Sequence, residues 1–444
     1  MPRARDGTLI DWGAGIRAAW GECSEAAALS RLDDFMASQL PSYEATRQRA
    51  DGSGVSRLSP YLRFGQLSPR RVAAALHAAG GAKTSRTFAH RLGWRDLAYW
   101  QLHHFPAITH APLRAAQLAA QPWAPPEVAD MRLRAWQRGA TGYPLVDAGM
   151  RELRRSGWMQ QSVRMVAASF LIRVLHVPWQ HGLAWFHDNL EDADVAINSM
   201  MWANAAGAGL DPWSFELSPV SRHQDPSGAY IRAWLPELRA LPEKHTHAPW
   251  AAPSEVLAAA GVQLGRTYPE RIVVDVAAAA AEHEAGERAS RHAAGSAWRD
   301  ASGYDLVAVP PGVLSAPASL VAGGRMRVFT LPAQRIVDTQ ANAGDGAAGA
   351  APAQPKQPAP RQQQKRGAPA ARAKAKPAAP PLVKRPRRVS LKDAPLVGRD
   401  AALRDRSDAE LRALSSASLD DVSALEEAAQ AAADAAAGAR PRRR

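Results

Sequence analysis

Apolar residues recur at helical spacing through the first 290 positions of this 444-residue chain. Between Leu145 and Leu175, Val146, Met150 and Leu153, then Val163, Val166, Phe170 and Val174, fall at three- and four-residue steps, which align side chains on one helix face. Gly157 stands between the two runs, so two packed helices are expected there. Ser59-Pro60 and Ser68-Pro69 each set a hydroxyl at a helix N-cap and a proline at the first helical position, where its missing N–H costs nothing. The helix after Ser68 should end near Gly80-Gly81. No alternating pattern of strand length and no internal repeat occurs in this region, and the expectation is an all-α fold.

The composition changes after this region. All 14 tryptophans lie at or before Trp298, and Ala, Pro, Gln, Lys and Arg dominate the rest of the chain. The low-complexity stretch from Ala341 to Pro381 cannot bury enough apolar surface to offset the entropy of ordering. A helical domain is expected over 1–300, with 1–40 as linker and first helix, followed by an extension over 301–340 and a disordered basic tail over 341–444. The extension carries Pro-Pro and Gly-Gly punctuation between Leu306 and Ile336, and its pattern assigns no element. In the tail, Leu411, Leu414, Leu419, Val422 and Leu425 approach helical spacing, so a short helix over 405–437 is expected to form on a partner.

Charge and cysteine narrow the class. A formal charge of +13 favours a polyanionic partner, although a solvated basic tail produces the same figure. The single cysteine, Cys23, excludes an intramolecular disulfide and a cysteine-based zinc site, and it reads as structural. There is no apolar run of about 18 residues and no signal-peptide core. A soluble intracellular protein with no membrane partner is expected, and no metal site is assigned.

Three sets of residues can carry chemistry. Ser56-Arg57-Leu58-Ser59-Pro60 combines hydroxyls and a guanidinium with a helix start, which suits a pyrophosphate. Taken alone, an ordinary helix cap is the commoner use of such a run. Asp192, Asp194, Asn198 and Trp202 are spaced by two, four and four, so the last three share a helix face and can present carboxylate and amide groups to a polar ring. A charged helix start is the plainer reading. Trp123, Trp179 and Trp202 individually look like core aromatics.

These pieces occur together, in order, with a longer match. Gly142-Tyr143-Pro144-Leu145-Val146-Asp147-Ala148-Gly149-Met150-Arg151-Glu152-Leu153, followed by Ser156-Gly157-Trp158-Met159, closely resembles the central helices of cryptochromes and DNA photolyases. Ser56 to Leu62, Gly93-Trp94-Arg95, Asp192-Ala193-Asp194 and Tyr230 to Leu238 extend the resemblance over about residues 8 to 290. The wording around Trp136 to Leu153 and Trp234 to Trp250 is nearest to plant or plant-like algal cryptochromes.

The resemblance implies a helical domain holding FAD in a U-shape. It assigns Tyr43, Ser56, Arg57, Leu58 and Ser59 to the phosphates and ribityl chain, and Arg95 to the neighbourhood of the pyrophosphate. Asp192 and Asp194 would contact the flavin side, with Arg164 paired to Asp192. Val55 stands where the family often has Thr, so one hydroxyl contact is lost. Asn198 matches the residue facing flavin N5, where an amide cannot donate the proton that an acid would. Trp202, Trp179 and Trp123 match a relay that carries an electron from the surface to the photoexcited flavin.

Three departures bear on whether light drives repair or signalling. Repair of a UV pyrimidine photoproduct needs a lesion flipped out of DNA and held beside the flavin. Trp94 keeps one aromatic wall of that pocket. Asn204 replaces the other wall, Arg91 stands where Glu or Gln is usual, and Gln160-Gln161 replaces His-Asn. Gln161 still donates and accepts. The balance favours a blue-light photoreceptor that photoreduces its flavin and signals to protein partners through the tail. The alternatives are a DNA photolyase, a carbon–carbon lyase acting on DNA, and a flavin-free binding protein that keeps only the fold.

Lys384-Arg385-Pro386-Arg387-Arg388 and Arg440-Pro441-Arg442-Arg443-Arg444 resemble nuclear localisation signals, with Ser390 beside the first as a candidate phosphorylation site. A nuclear and also cytoplasmic location is expected. The family's N-terminal α/β domain has no counterpart in this sequence, so the expectation is either a fragment of a longer protein or one that works without an antenna, and an antenna chromophore is expected to be absent.

Overall fold

The computed structural model describes residues 11, 13–52, 54–80, 85–114, 118–211, 217–295, 305–309, 321–322 and 325–328. The tail expected over 341–444, its helix at 405–437 and both basic clusters lie outside the described residues. Helices α1 (Ala14–Trp20), α2 (Glu25–Asp34), α3 (Tyr43–Thr46), α4 (Ser59–Arg63), α5 (Pro69–Ala78) and α6 (Arg86–His104) come first. They are followed by α7 (Pro126–Arg138), α8 (Pro144–Ser156), α9 (Gln161–Ser169), α10 (Trp179–Asn189) and α11 (Val195–Ala205). Shorter helices α12 (Ala229–Trp234), α13 (Glu243–Thr246) and α14 (Ser254–Ala259) lead to the long α15 (Val276–Ala294). Strands β1 (Asp305–Ala308), β2 (Val321–Ala322) and β3 (Arg325–Val328) end the described chain.

Helix α8 lies at the centre and is buried on nearly every side, with Arg154 and Arg155 its only fully exposed residues. Leu145, Val146, Met150 and Leu153 have no exposed surface, and each such burial contributes about 1.5–3 kcal/mol. A carboxylate in this interior must be satisfied locally. Asp147 accepts from the Thr141 N–H (2.7 Å), the Thr141 hydroxyl (2.7 Å), the Gly142 N–H (3.0 Å) and the Tyr268 hydroxyl (2.7 Å). Gly157 ends α8 in the left-handed region at φ 67°, which glycine adopts without a Cβ penalty. The two helices expected around Gly157 are therefore α8 and α9, the second continuing into a wide π turn at Phe170–Val174.

Two hydrophobic cores are present. The larger gathers α7 to α11 around Trp136, Phe170, Trp179 and Trp202. The smaller joins α2, α4, α5 and the start of α6 through Leu32, Phe35, Tyr43, Leu58, Tyr61, Val72 and Phe88. Ser68 caps α5 as expected, its hydroxyl accepting the Arg70 N–H at 3.2 Å, and that helix ends before Gly80. The Ser59 cap is corrected. Leu58 holds the N-cap position and no side chain caps α4. The hydroxyl of Ser56 accepts the Leu58 N–H (3.4 Å) instead, in a turn that places Arg57 at φ 51°.

The extension whose pattern assigned no element forms a three-stranded antiparallel sheet in the order β1-β3-β2, with Asp305 opposite Val328. It docks on the helical body. Val307 packs with Phe105, Leu113 and Leu210, and the buried Asp305 carboxylate pairs with Arg114 and with Arg291 (2.9 Å). Burial pushes the Arg114 guanidinium down to about 10, against the pull of Asp305. The expected boundary at residue 300 falls between α15 and β1. Cys23 lies exposed on the surface. No described helix is long and apolar enough to cross a membrane.

Candidate functional site

A cavity of about 250 Å³ opens where the two cores meet. Tyr43, the segment Val55–Ser59 and Phe88 wall it from the smaller core, and Met159, Gln161 and Arg164 wall it from the larger. Gln161, Arg164, Asp192, Asp194 and Ile197 also line an inner apolar chamber formed by Met165, Ala168, Phe186, Leu190, Met201 and Trp202. The two chambers share these residues and so adjoin, one with a wall rich in hydroxyls and guanidinium groups and the other, of about 60 Å³, closed by apolar side chains.

The polar side chains are fixed before any ligand arrives. Arg164 donates to Asp192 through two bonds of 3.0 and 2.9 Å, and its Nε donates to the Met159 carbonyl at 2.6 Å. This fork is the pairing expected from the sequence. Asp194 is the N-cap of α11, its Oδ1 accepting the N–H groups of Ala196 (3.1 Å) and Ile197 (3.2 Å). The charged helix start is therefore real for Asp194, and it does not compete with a place in the cavity. Its other oxygen accepts the Tyr99 hydroxyl at 2.5 Å, with Arg95 at 3.9 Å. Asn198 lines the chamber and donates one amide N–H to the Leu183 carbonyl (3.2 Å), and an amide, unlike a carboxylic acid, has no acidic proton to transfer.

Tyr43 is buried at the outer wall, where burial raises its hydroxyl pKa and Arg91 opposes the rise. Arg91 and Arg95 both line the cavity. The Arg57 guanidinium is sandwiched between the Trp20 and Trp158 rings, at 5.0 and 4.4 Å from their centres.

Residues 88–288 match the model of the FAD binding domain of DNA photolyase. Those residues carry the FAD binding domain of the DNA photolyase family, and the relatives they match are photolyases and cryptochromes. The chain is 39% identical over 276 residues to a deoxyribodipyrimidine photo-lyase of Agrobacterium fabrum, covering 60% of this chain and 56% of that protein. It is 37% identical over 268 residues to cryptochrome-1 of Arabidopsis thaliana, covering 57% and 39%. A crystal structure of a bacterial class III photolyase from Agrobacterium tumefaciens superposes with a TM-score of 0.59 at 37% identity, over 64% of this chain and 59% of that one. The chain spans about half the length of the curated relatives it matches, and photolyase and cryptochrome match it almost equally.

The match to this FAD binding domain makes FAD the ligand against which the cavity's chemistry is tested. Hydroxyls and guanidinium groups at the outer wall suit phosphates, the Arg164–Asp192 fork suits ring N–H groups, and the apolar side chains beyond them suit the face or edge of a ring. The donor set fits. Trp202 lines the inner chamber and is 3% exposed. Its ring packs edge-on against Phe186 (5.1 Å) and Trp136 (6.2 Å). Gly182 lets it seat there, since a Cβ at 182 would stand 2.2 Å from the Trp202 ring. Trp179, one turn earlier on α10, is wholly buried, and Trp123 is half-buried, edge-on to His283 at 6.3 Å.

The residues assigned to a lesion pocket are not all brought together. Arg91 and Gln161 line the cavity, whereas Trp94 stands 41% exposed on α6 and lines neither chamber. Asn204 is turned away. It is 1% exposed, and its side-chain oxygen accepts the Asp211 N–H at 3.1 Å, closing the turn after α11.

Sequence reasoning missed Tyr99, Arg63 and Trp136. Tyr99 lies four residues after Arg95, a helical neighbour of a chosen residue, so it was within reach. Arg63 directly follows the Ser56 to Leu62 match and donates to the Ala193 carbonyl, tying α4 to the Asp192–Asp194 turn. Trp136 opens a stretch that carries the resemblance, yet nothing in the sequence set it beside Trp202.

Proposed function

We propose that this site holds FAD and that the chain works as a blue-light photoreceptor, with Trp202, Trp179 and Trp123 feeding electrons inward. When bound, the flavin supplies light absorption and one-electron chemistry. Tyr43, Ser56, Ser59, Arg95 and the main chain at Arg57 and Leu58 hold the phosphates and ribityl chain. Asp192, oriented by Arg164, accepts from ring N–H groups, and Asp194 is fixed beside it by Tyr99 and the start of α11. Phe186, Leu190, Met165 and Met201 exclude water. Asn198 would present its amide to the flavin and, unlike an acid, would transfer no proton. An electron leaving Trp202 is replaced from Trp179 and then Trp123, and the increasing exposure at Trp123 lets the oxidised end reach solvent.

The observation that carries this reading is the place of Trp202 at the inner end of the cavity, on the same helix face as Asp194 and Asn198. The diversion of Asn204 into a turn favours a receptor over a repair enzyme, because it leaves the lesion position without its second wall. Signalling partners would then engage the tail.

Repair of UV pyrimidine photoproducts is the second reading, favoured by the exposed Trp94 ring, on the same helix as Arg91, where an extruded base could stack. Illumination of the FAD-loaded full chain decides between them. Bleaching of the blue flavin band with no reversal of a thymine-dimer oligonucleotide supports the receptor. Dimer reversal ends that reading, and a chain that takes up no FAD ends both.

A further inference from the structure

Behind the wall formed by Val55, Ser56, Arg57 and Trp158 lies a separate cavity of about 630 Å³. Two arginines face it. The Arg57 guanidinium sits between Trp20 and Trp158, and that of Arg31 lies 5.9 Å from the ring centres of both Trp20 and Tyr61. Cation–π stacking uses the faces of a guanidinium and leaves its in-plane N–H groups unspent. Among the described residues neither side chain donates a hydrogen bond or sits within ion-pair distance of a carboxylate, and both Nε atoms are shielded from solvent without a partner. Burial lowers the pKa of Arg57; Glu152 opposes this and the like charge of Arg31 adds to it. Two cations held on one indole, short of acceptors, are relieved by an anion bridging them.

The rest of the lining says what kind of anion. Ser56 and Gln39 add polar groups, the buried Glu152, its carboxyl raised by burial to about 7, lines the cavity beside Arg57, and the exposed carboxylates of Glu22 and Asp34 line it without hydrogen-bond partners among the described residues. Those carboxylates repel a long polyanion and accept hydroxyl or amine donors. The volume suits a small molecule. We propose that this cavity binds a small phosphate monoester bearing hydroxyls, such as a nucleoside monophosphate or sugar phosphate, with its phosphate between Arg31 and Arg57 and its hydroxyls on Asp34 and Glu22. Arg31, Gln39, Glu22 and Asp34 do not line the cavity assigned to FAD, whereas Val55, Ser56, Arg57 and Trp158 line both, so the two sites share a wall in which the main chain at Arg57 faces FAD and its guanidinium serves the second cavity.

The test is isothermal titration of the full chain, with and without FAD, using inorganic phosphate and adenosine monophosphate as probes. Saturable binding of the monophosphate is expected, tighter than that of phosphate and retained when FAD is bound. Arg31→Gln should weaken it by roughly ten- to hundredfold, the loss of one charge-assisted contact, and Arg31→Lys should recover part. Asp34→Asn, at an exposed position, should weaken the monophosphate and spare phosphate, which separates recognition from misfolding. Absent binding, equal affinity for the two probes, or an Arg31→Gln effect confined to FAD uptake would overturn the proposal.

Discussion

Arg164 meets Asp192 in a side-on fork, two N–H groups on two carboxylate oxygens at 3.0 and 2.9 Å, with both side chains largely buried. The bonds aim the carboxylate into the cavity and neutralise its charge before a ligand enters. Preorganisation of this kind leaves less ordering to be done on binding.

Asp192→Asn keeps the shape and removes the charge, leaving Arg164 without its counter-ion. FAD affinity, followed by flavin fluorescence, should fall by roughly ten- to hundredfold. Wild-type affinity in this variant would mean that the flavin does not sit against Asp192.

Trp202→Phe retains the apolar wall and removes the easily oxidised indole. FAD uptake should persist while photoreduction, measured by bleaching under blue light, slows by more than about tenfold, equal to an added barrier of about 1.4 kcal/mol. Unchanged kinetics would refute the assignment of Trp202 as the first donor.

Gly182→Ala places a methyl group against the Trp202 ring within the larger core. Overpacking costs about 1–3 kcal/mol, more than the gain in helix propensity from replacing glycine, about 1 kcal/mol. A lower melting temperature is expected, and a rise would show that the ring can move aside freely.

Glu152 is buried on α8 and accepts the Tyr230 hydroxyl at 2.5 Å. Burial raises its carboxyl to about 7, against the lowering pull of that bond and of Arg57 and Arg164. The folded chain therefore prefers the protonated form. Its contribution is largest below the unfolded value of 4.5 and is lost as the pH rises to about 7, on the order of 3 kcal/mol in all. Glu152→Gln should melt close to wild type in acid and above it at about pH 8. A difference that does not change with pH would show that Glu152 titrates normally.

Much of the molecule was legible along the chain. The repeat of apolar positions about Gly157 gave α8 and α9, because helix burial depends on local periodicity and a left-handed glycine stop. Ser68 with Pro69 marked α5 for the same kind of local reason. The Arg164–Asp192 pair, the cavity residues from Tyr43 to Ser59, and Asn198 with Trp202 were named from residue order and resemblance.

Other features needed the folded chain. Ser56, not Ser59, satisfies the N–H before α4, since the turn at Arg57 decides which hydroxyl is in reach. Asn204 left the pocket because the turn to Asp211 claims its oxygen. Tyr99 reaches Asp194 across 95 positions of sequence, and Asp305 meets Arg114 across 191. Periodicity and caps are properties of neighbouring residues and so are written in the sequence, whereas the partners of a buried carboxylate or a guanidinium stacked between two indoles are fixed only when distant segments pack.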